Sequence, residues 1–321
     1  MRSASELRIE KVGDPVPELI DFHTHIRPPW WEGATNPAAA GLSPGSGERV
    51  ARLTDIDRLI EESRTAGIAH RALSAGVEGV YGSAGDVPAS EVRRVNEFTA
   101  EAVAKDPDLF FGLATIDAYA GDAGAVEAEY ALRELGLHGL FLDAQRHGVY
   151  PGAPQARPTL AAAAELGIPV FVHPVWAPDD AVFRDAGGTA GGSFGRGVTN
   201  GLAALSLLHA GVFEEFPELD ILITAYGAGA ILFAADALAA YKQAHGTSPR
   251  LHMDTLTFHP PTLRYAIDSL GADRVILGSD WPIRLDAYAD KVAAAFEAAG
   301  FTPEEQDLVG SGNARRLFGL E

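Results

Sequence analysis

Eight short apolar runs, each followed by a longer stretch with helical spacing, constrain this chain more than any other feature. The runs fall at 18–25, 70–76, 110–117, 139–145, 169–175, 220–226, 251–255 and 274–280. Several are nearly continuous, as in Pro169-Val170-Phe171-Val172, the pattern expected of a parallel strand buried on both faces. The stretches between them carry helix punctuation. Thr54 or Asp55 can cap a helix that runs to Ala66 and closes at Gly67, and Pro107 lies just beyond a helix from Ser90 to Lys105. Further helical patterns occupy 123–135, 159–166, 202–216, 228–245, 261–270 and 286–299. Strand and helix in strict alternation, eight times, predict an α/β fold of the TIM type, a single (β/α)8 barrel. One domain is expected over 1–321, with its core at about 18–318 and the tail 303–318 packed outside. Two segments rich in Pro and Gly, 27–52 and 176–199, are predicted as long loops after strands one and five. Both leave the strand ends where barrel enzymes build their sites.

Composition narrows the function. A net charge of −19 excludes the basic stripe that nucleic-acid binding requires. The chain has no cysteine, so any metal site must use histidine and carboxylate. No run reaches the ~18 apolar residues of a membrane span, and Met1 to Glu6 lack the apolar segment of a secretory signal. A cytoplasmic enzyme acting on a small molecule, with no membrane partner, is the expectation.

The first run ends in His23-Thr24-His25. Residues two apart on a strand share a face, so two imidazoles would project side by side, an arrangement that a transition metal can use. Two strand histidines that merely pack remain the alternative on this motif alone. His173 closes the fifth run and Asp280 the eighth. In a barrel, these four side chains would meet at one mouth, and three imidazoles with a carboxylate suit a divalent cation.

The segments Ile20-Asp21-Phe22-His23-Thr24-His25, Val172-His173-Pro174 and Gly278-Ser279-Asp280-Trp281-Pro282 together resemble the amidohydrolase superfamily. Within it, the chain is similar to the "amidohydrolase 2" group, which includes aminocarboxymuconate semialdehyde decarboxylase, resorcylate decarboxylases and several lactone hydrolases. Arg94-Val95-Asn96-Glu97, Phe111-Gly112-Leu113-Ala114 and Met253-Asp254-Thr255 extend the likeness along the chain. The resemblance implies that His23, His25, His173 and Asp280 bind a divalent metal, Zn²⁺ first and Mn²⁺ second, and that Asp280 also moves a proton. It permits a homodimer. It also exposes a departure: the group usually carries a histidine at the end of strand six, where this chain reads Thr224-Ala225-Tyr226-Gly227. Three explanations stand: another proton donor such as Tyr226 or His259, an engineered His to Ala replacement, or binding without turnover.

Other candidates surround the mouth. Arg27 could clamp a carboxylate, and Trp30 and Trp31 could stack on a ring or simply anchor the first loop. Arg146 after strand four, His259 after strand seven and Arg284 after Asp280 complete the expected substrate contacts. The first expectation is a metal-dependent hydrolase of an amide, lactone or related carbonyl in a small carboxylated, aromatic metabolite. Its alternative is a nonoxidative decarboxylase of a similar acid, because the missing strand-six imidazole weighs more against carbon protonation than against attack by water.

Overall fold

The computed structural model describes residues 18–31, 46–81, 85–224, 227–256, 258–282 and 289–320. Within them, each apolar run seats one parallel strand: β1 (Ile20–His25), β2 (His70–Ser74), β3 (Phe110–Ile116), β4 (Gly139–Asp143), β5 (Val170–His173), β6 (Ile221–Ile223), β7 (Leu251–Asp254) and β8 (Val275–Ile276). They pair in sequence order, β1 to β8. The ring closes where Phe22 N–H donates to Leu277 O and His25 N–H to Trp281 O, each at 2.8 Å. The predicted (β/α)8 barrel is therefore the observed architecture.

Inward residues fill the barrel. Ile20, Phe22, Leu113, Phe141, Phe171, Leu222 and Ile276 form one buried cluster, in which Phe22 and Phe141 stack on Phe171 at 5.6 and 5.4 Å. The first part of the tail packs outside as predicted, with Val309 in the outer cluster and Glu305 paired with Arg264, but its end goes further. Its last helix, Asn313–Phe318, sets Phe318 on Phe22 and Phe111 at 4.8 and 4.7 Å. The aromatic ring thus floors the barrel, burying apolar surface that the open end would otherwise expose.

β1 carries an irregularity with functional consequence. Its register against β2 jumps between Asp21 and Thr24, so three steps on β1 match two on β2. Strict alternation would put Phe22 and His23 on opposite faces. The extra residue reverses the parity, as a bulge does, and lets Phe22 join the core while His23 also turns inward, 5.2 Å from the Phe171 ring.

The segment 176–199 is not a loop. A helix runs Asp180–His209, broken by non-helical backbone at Gly188 (φ 56°, ψ −137°). Six glycines between 187 and 197 argue locally against helix, yet tertiary packing overrides that preference. The first long segment shortens likewise: it holds a turn over Pro29–Trp31, and a helix Ser46–Thr54 takes up its end. Among the described residues, no helix is long and apolar enough to cross a membrane.

Candidate metal centre

The four predicted ligands converge. His23 and His25 end β1, His173 ends β5, and Asp280 follows β8 with φ 57°. A non-glycine residue in this left-handed region is uncommon and clusters at functional sites. Gly278 makes the approach possible: a Cβ there would lie 2.8 Å from that of Asp254 and 2.9 Å from that of His23. His23 Nε2 lies 3.0 Å from His25 Nε2. Asp280 Oδ1 is 3.1 Å from His25 Nε2 and 3.5 Å from His23 Nε2. The His173 ring stands edge-on to both, at 5.3 and 4.8 Å between centroids. One donor atom from each of the four residues lies within 4.8 Å of the rest.

The donor set fits a divalent cation. Ligands bound at about 2.0–2.1 Å in tetrahedral or octahedral array stand roughly 3.0–3.4 Å apart, close to the 3.0–3.5 Å separations among the donors of His23, His25 and Asp280. The outward ring nitrogens are held by the protein. His23 Nδ1 meets Asp254 Oδ2 at 2.7 Å, and an ionised carboxylate only accepts, so Nδ1 carries the proton. His25 Nδ1 meets Ser74 Oγ at 3.0 Å, while Ser74 donates to Thr24 O at 3.2 Å. Both Nε2 lone pairs are thereby turned toward the common centre, as outer partners of metal-binding histidines do.

Charge agrees with that arrangement. Burial, reinforced by the neighbouring imidazoles and Arg196, drives His173 well below the ordinary histidine range. Burial and His23 lower His25 in spite of Asp280. His23 moves the other way, because Asp280, Asp254 and Asp21 together outweigh its burial. Burial would raise Asp280, but His23, His25 and Arg196 hold it below the usual carboxylate value. Neutral His25 and His173 beside an ionised Asp280 are the forms a cation needs, and a bound cation would displace the proton that the nearby carboxylates favour on His23.

The remaining candidates are distributed differently. Trp30 and Trp31 both donate their indole N–H to Glu91 Oε1, at 2.8 and 2.6 Å, and Arg94 covers the Trp30 ring at 3.8 Å. These contacts tie the first loop to the helix Ala89–Lys105. Arg27 donates to Trp31 O. Arg146 is buried, pairs with Asp143 at 2.6 Å and donates to Gly85 O. His259 is exposed at the start of the helix Pro260–Leu270, with Nδ1 3.0 Å from Thr262 Oγ1. Ala225, Tyr226 and Arg284 lie outside the described residues.

Residues not singled out from the sequence complete the surroundings. Glu78, after β2, accepts the backbone N–H of Trp176 through Oε1. Its Oε2 accepts from Arg196 Nη1 and Nη2 at 3.2 and 2.9 Å. Burial pushes the Glu78 carboxyl up to about 7 although Arg196 opposes it. Between its ordinary value of 4.5 and about 7, the folded chain keeps a proton that the unfolded chain has lost, so stability falls as pH rises through this window. The loss should be on the order of 3 kcal/mol. Urea unfolding of wild type and Glu78→Gln at pH 5 and 7.5 checks this: the wild type should weaken relative to the variant, and parallel behaviour would refute the assignment.

A (β/α)8 barrel with three histidines and an aspartate gathered at the C-terminal strand ends is the architecture of a metal-dependent enzyme. A family model described as amidohydrolase matches residues 20–320. The chain belongs to this family and is an enzyme of the amidohydrolase superfamily, as its motifs implied. Among curated relatives, a gamma-resorcylate decarboxylase of Polaromonas sp. is 29% identical over 308 residues, covering 88% of this chain and 94% of its own. A crystal structure of a 2,6-dihydroxybenzoate decarboxylase complexed with 2,6-dihydroxybenzoate superposes with a TM-score of 0.77 at 25% identity, covering 95% of this chain and 100% of that one. A dihydroxybenzoic acid decarboxylase from Polaromonas sp., with bound manganese and the inhibitor 2-nitroresorcinol, gives 0.76 at 25% identity over 95% and 97% of the two chains. These relatives carry decarboxylase names, and nothing among them supports the expectation of hydrolysis, which yields to its alternative.

Proposed function

We propose that this protein is a metal-dependent, nonoxidative decarboxylase of a hydroxylated benzoic acid. The observation that carries the reading is full-length similarity to decarboxylases of such acids, joined to a cluster of His23, His25, His173 and Asp280 able to hold the ion. Mn²⁺ is favoured over Zn²⁺ because a relative at 25% identity carries manganese and the donor set accepts either. A cation held by these four residues would supply positive charge that offsets the charge spreading into the ring.

The chain's own residues would handle the proton. Asp280 Oδ1 faces the imidazoles, which leaves Oδ2 to take a proton from the substrate hydroxyl and deliver it to the ring carbon that bears the carboxylate. The bond from that carbon to the carboxylate then breaks, its electron pair returns to the ring, and CO₂ leaves. This route asks nothing of a strand-six imidazole, consistent with Ala225 and Tyr226 standing there. Asp254 and Ser74 keep the His23 and His25 rings from turning.

The test is direct. Mn²⁺-loaded protein in D₂O should convert 2,6-dihydroxybenzoate to resorcinol carrying one deuterium at the former carboxyl position, with one CO₂ per turnover. Release of no CO₂, with opening of a lactone or amide from a parallel panel, would reverse the reading in favour of hydrolysis. Activity that appears only in Ala225→His would show that the strand-six imidazole is needed after all.

A further inference from the structure

We propose that Arg196 is the residue that selects for a carboxylate on the substrate. The inference rests on the decarboxylase reading and adds the group that recognises the acid. Arg196 lies in the helix Asp180–His209, beyond the Gly188 break, and reaches back to the end of β5. Its Nη1 donates to the carbonyl of Pro174 at 3.1 Å, the residue next to His173. Nη1 and Nη2 both donate to Glu78 Oε2, at 3.2 and 2.9 Å, and the guanidinium lies over the Trp176 ring at 4.2 Å. Three partners therefore fix its plane: a carboxylate at the tip, a carbonyl at one side and an indole on the face.

Counting donors shows what is left. A guanidinium has five N–H groups, and these contacts use both on Nη1 and one on Nη2. The remaining pair, Nε–H and the second Nη2–H, has no acceptor among the described residues. Those two point the same way and form the side fork of the guanidinium, which matches the two oxygens of a carboxylate. The side chain is 19% exposed, so this edge is open to a ligand. It is also close to the centre, because Pro174, whose carbonyl Arg196 holds, directly follows His173. The described arginines that the sequence offered for this task make other contacts: Arg146 with Asp143 and Gly85, and Arg27 with the carbonyl of Trp31.

The chemistry predicts where the effect falls. A fork on the carboxylate stabilises the bound acid, whose charge is on its oxygens. During C–C cleavage that charge moves into the ring and CO₂ departs neutral, so the fork contributes less to the transition state than to the ground state. Loss of such an interaction raises KM and does not lower kcat.

The test uses Mn²⁺-loaded protein with two probes, 2,6-dihydroxybenzoate and its uncharged counterpart resorcinol, titrated by calorimetry. Arg196→Met should weaken the acid about 10–100-fold, the range for charge-assisted hydrogen bonds, and resorcinol less than about 3-fold. KM should rise in parallel, with no fall in kcat. Glu78→Gln/Arg196→Met removes both members of the buried pair, so the result does not depend on a stranded carboxylate, and it should lose the preference equally. Arg196→Lys keeps charge without the fork and should recover only part. A preference for the acid that stays within about 3-fold of wild type in both Met variants overturns the assignment, as does equal weakening of the two probes. Wild type that binds neither probe overturns the assignment together with the decarboxylase reading, whereas wild type that turns over the acid isolates the failure to Arg196.

Discussion

Asp280→Asn is expected to lower the turnover of 2,6-dihydroxybenzoate by about 10³–10⁴-fold, at the upper end of what a positioned proton carrier contributes. The amide keeps the size and one oxygen of the carboxylate, so the fold should survive. It loses the negative charge that His23 and His25 meet at 3.5 and 3.1 Å, and it cannot take up and return a proton at Oδ2. Two separable effects follow. Affinity for Mn²⁺ should fall, because one of the four donors becomes neutral. Turnover at saturating Mn²⁺ should stay low, because restoring the cation does not restore the proton carrier. Single-turnover assays across a Mn²⁺ titration distinguish them. If saturating metal brings the variant to within tenfold of wild type, Asp280 serves only as a ligand and the proton comes from elsewhere.

The positions of these donors were legible in the sequence for a simple reason. His25, His173 and Asp280 each close an apolar run, and a barrel brings such ends together whatever lies between them. What could not be read was how His23 and Phe22 both face inward, since that depends on the jump in register against β2 and no period-two pattern contains it. Arg196 was invisible for two reasons. It lies in a glycine-rich stretch whose local preference is against helix, and its partner Glu78 is 118 residues away. Trp30 and Trp31 illustrate another limit: an aromatic pair beside a metal motif reads equally as a stacking surface or as a loop anchor, and only the structure shows that Glu91 holds both indole N–H groups. The reaction was the least legible part. Three imidazoles and a carboxylate serve attack by water and protonation of carbon equally well, so similarity along the chain, not the ligand set, tips the reading.

The other large effect is expected beneath the metal centre, where the fold spends buried charge to join two of the three ligand-bearing segments. Asp21 is 1% exposed and Arg71 2%, and they form an ion pair. Asp21 Oδ1 accepts the backbone N–H groups of His23 and Ser279 at 3.1 and 2.9 Å. Its Oδ2 accepts the hydroxyls of Thr24 and Ser279 at 3.1 and 2.6 Å. One carboxylate therefore ties the bulged end of β1 to the segment that delivers Asp280, while Arg71 reaches on to Ser63 at 2.7 Å. Removing one member of a buried pair strands the other charge, at a cost of about 3–5 kcal/mol. Asp21→Asn should thus lower stability by that amount in urea unfolding. Replacing both charges, as in Asp21→Leu/Arg71→Met, removes the stranded charge but leaves the four donors to Asp21 without their acceptor, so it should regain only part of the stability. It should not regain Mn²⁺ affinity, because the His23 and Ser279 amides lose the acceptor that sets their spacing, and outer partners of this kind are worth about 10–100-fold in metal binding. If the double variant binds Mn²⁺ like wild type, Asp21 stabilises the barrel without positioning its ligands. If Asp21→Asn costs less than about 1 kcal/mol, the pair is not the strand clamp that its hydrogen bonds imply.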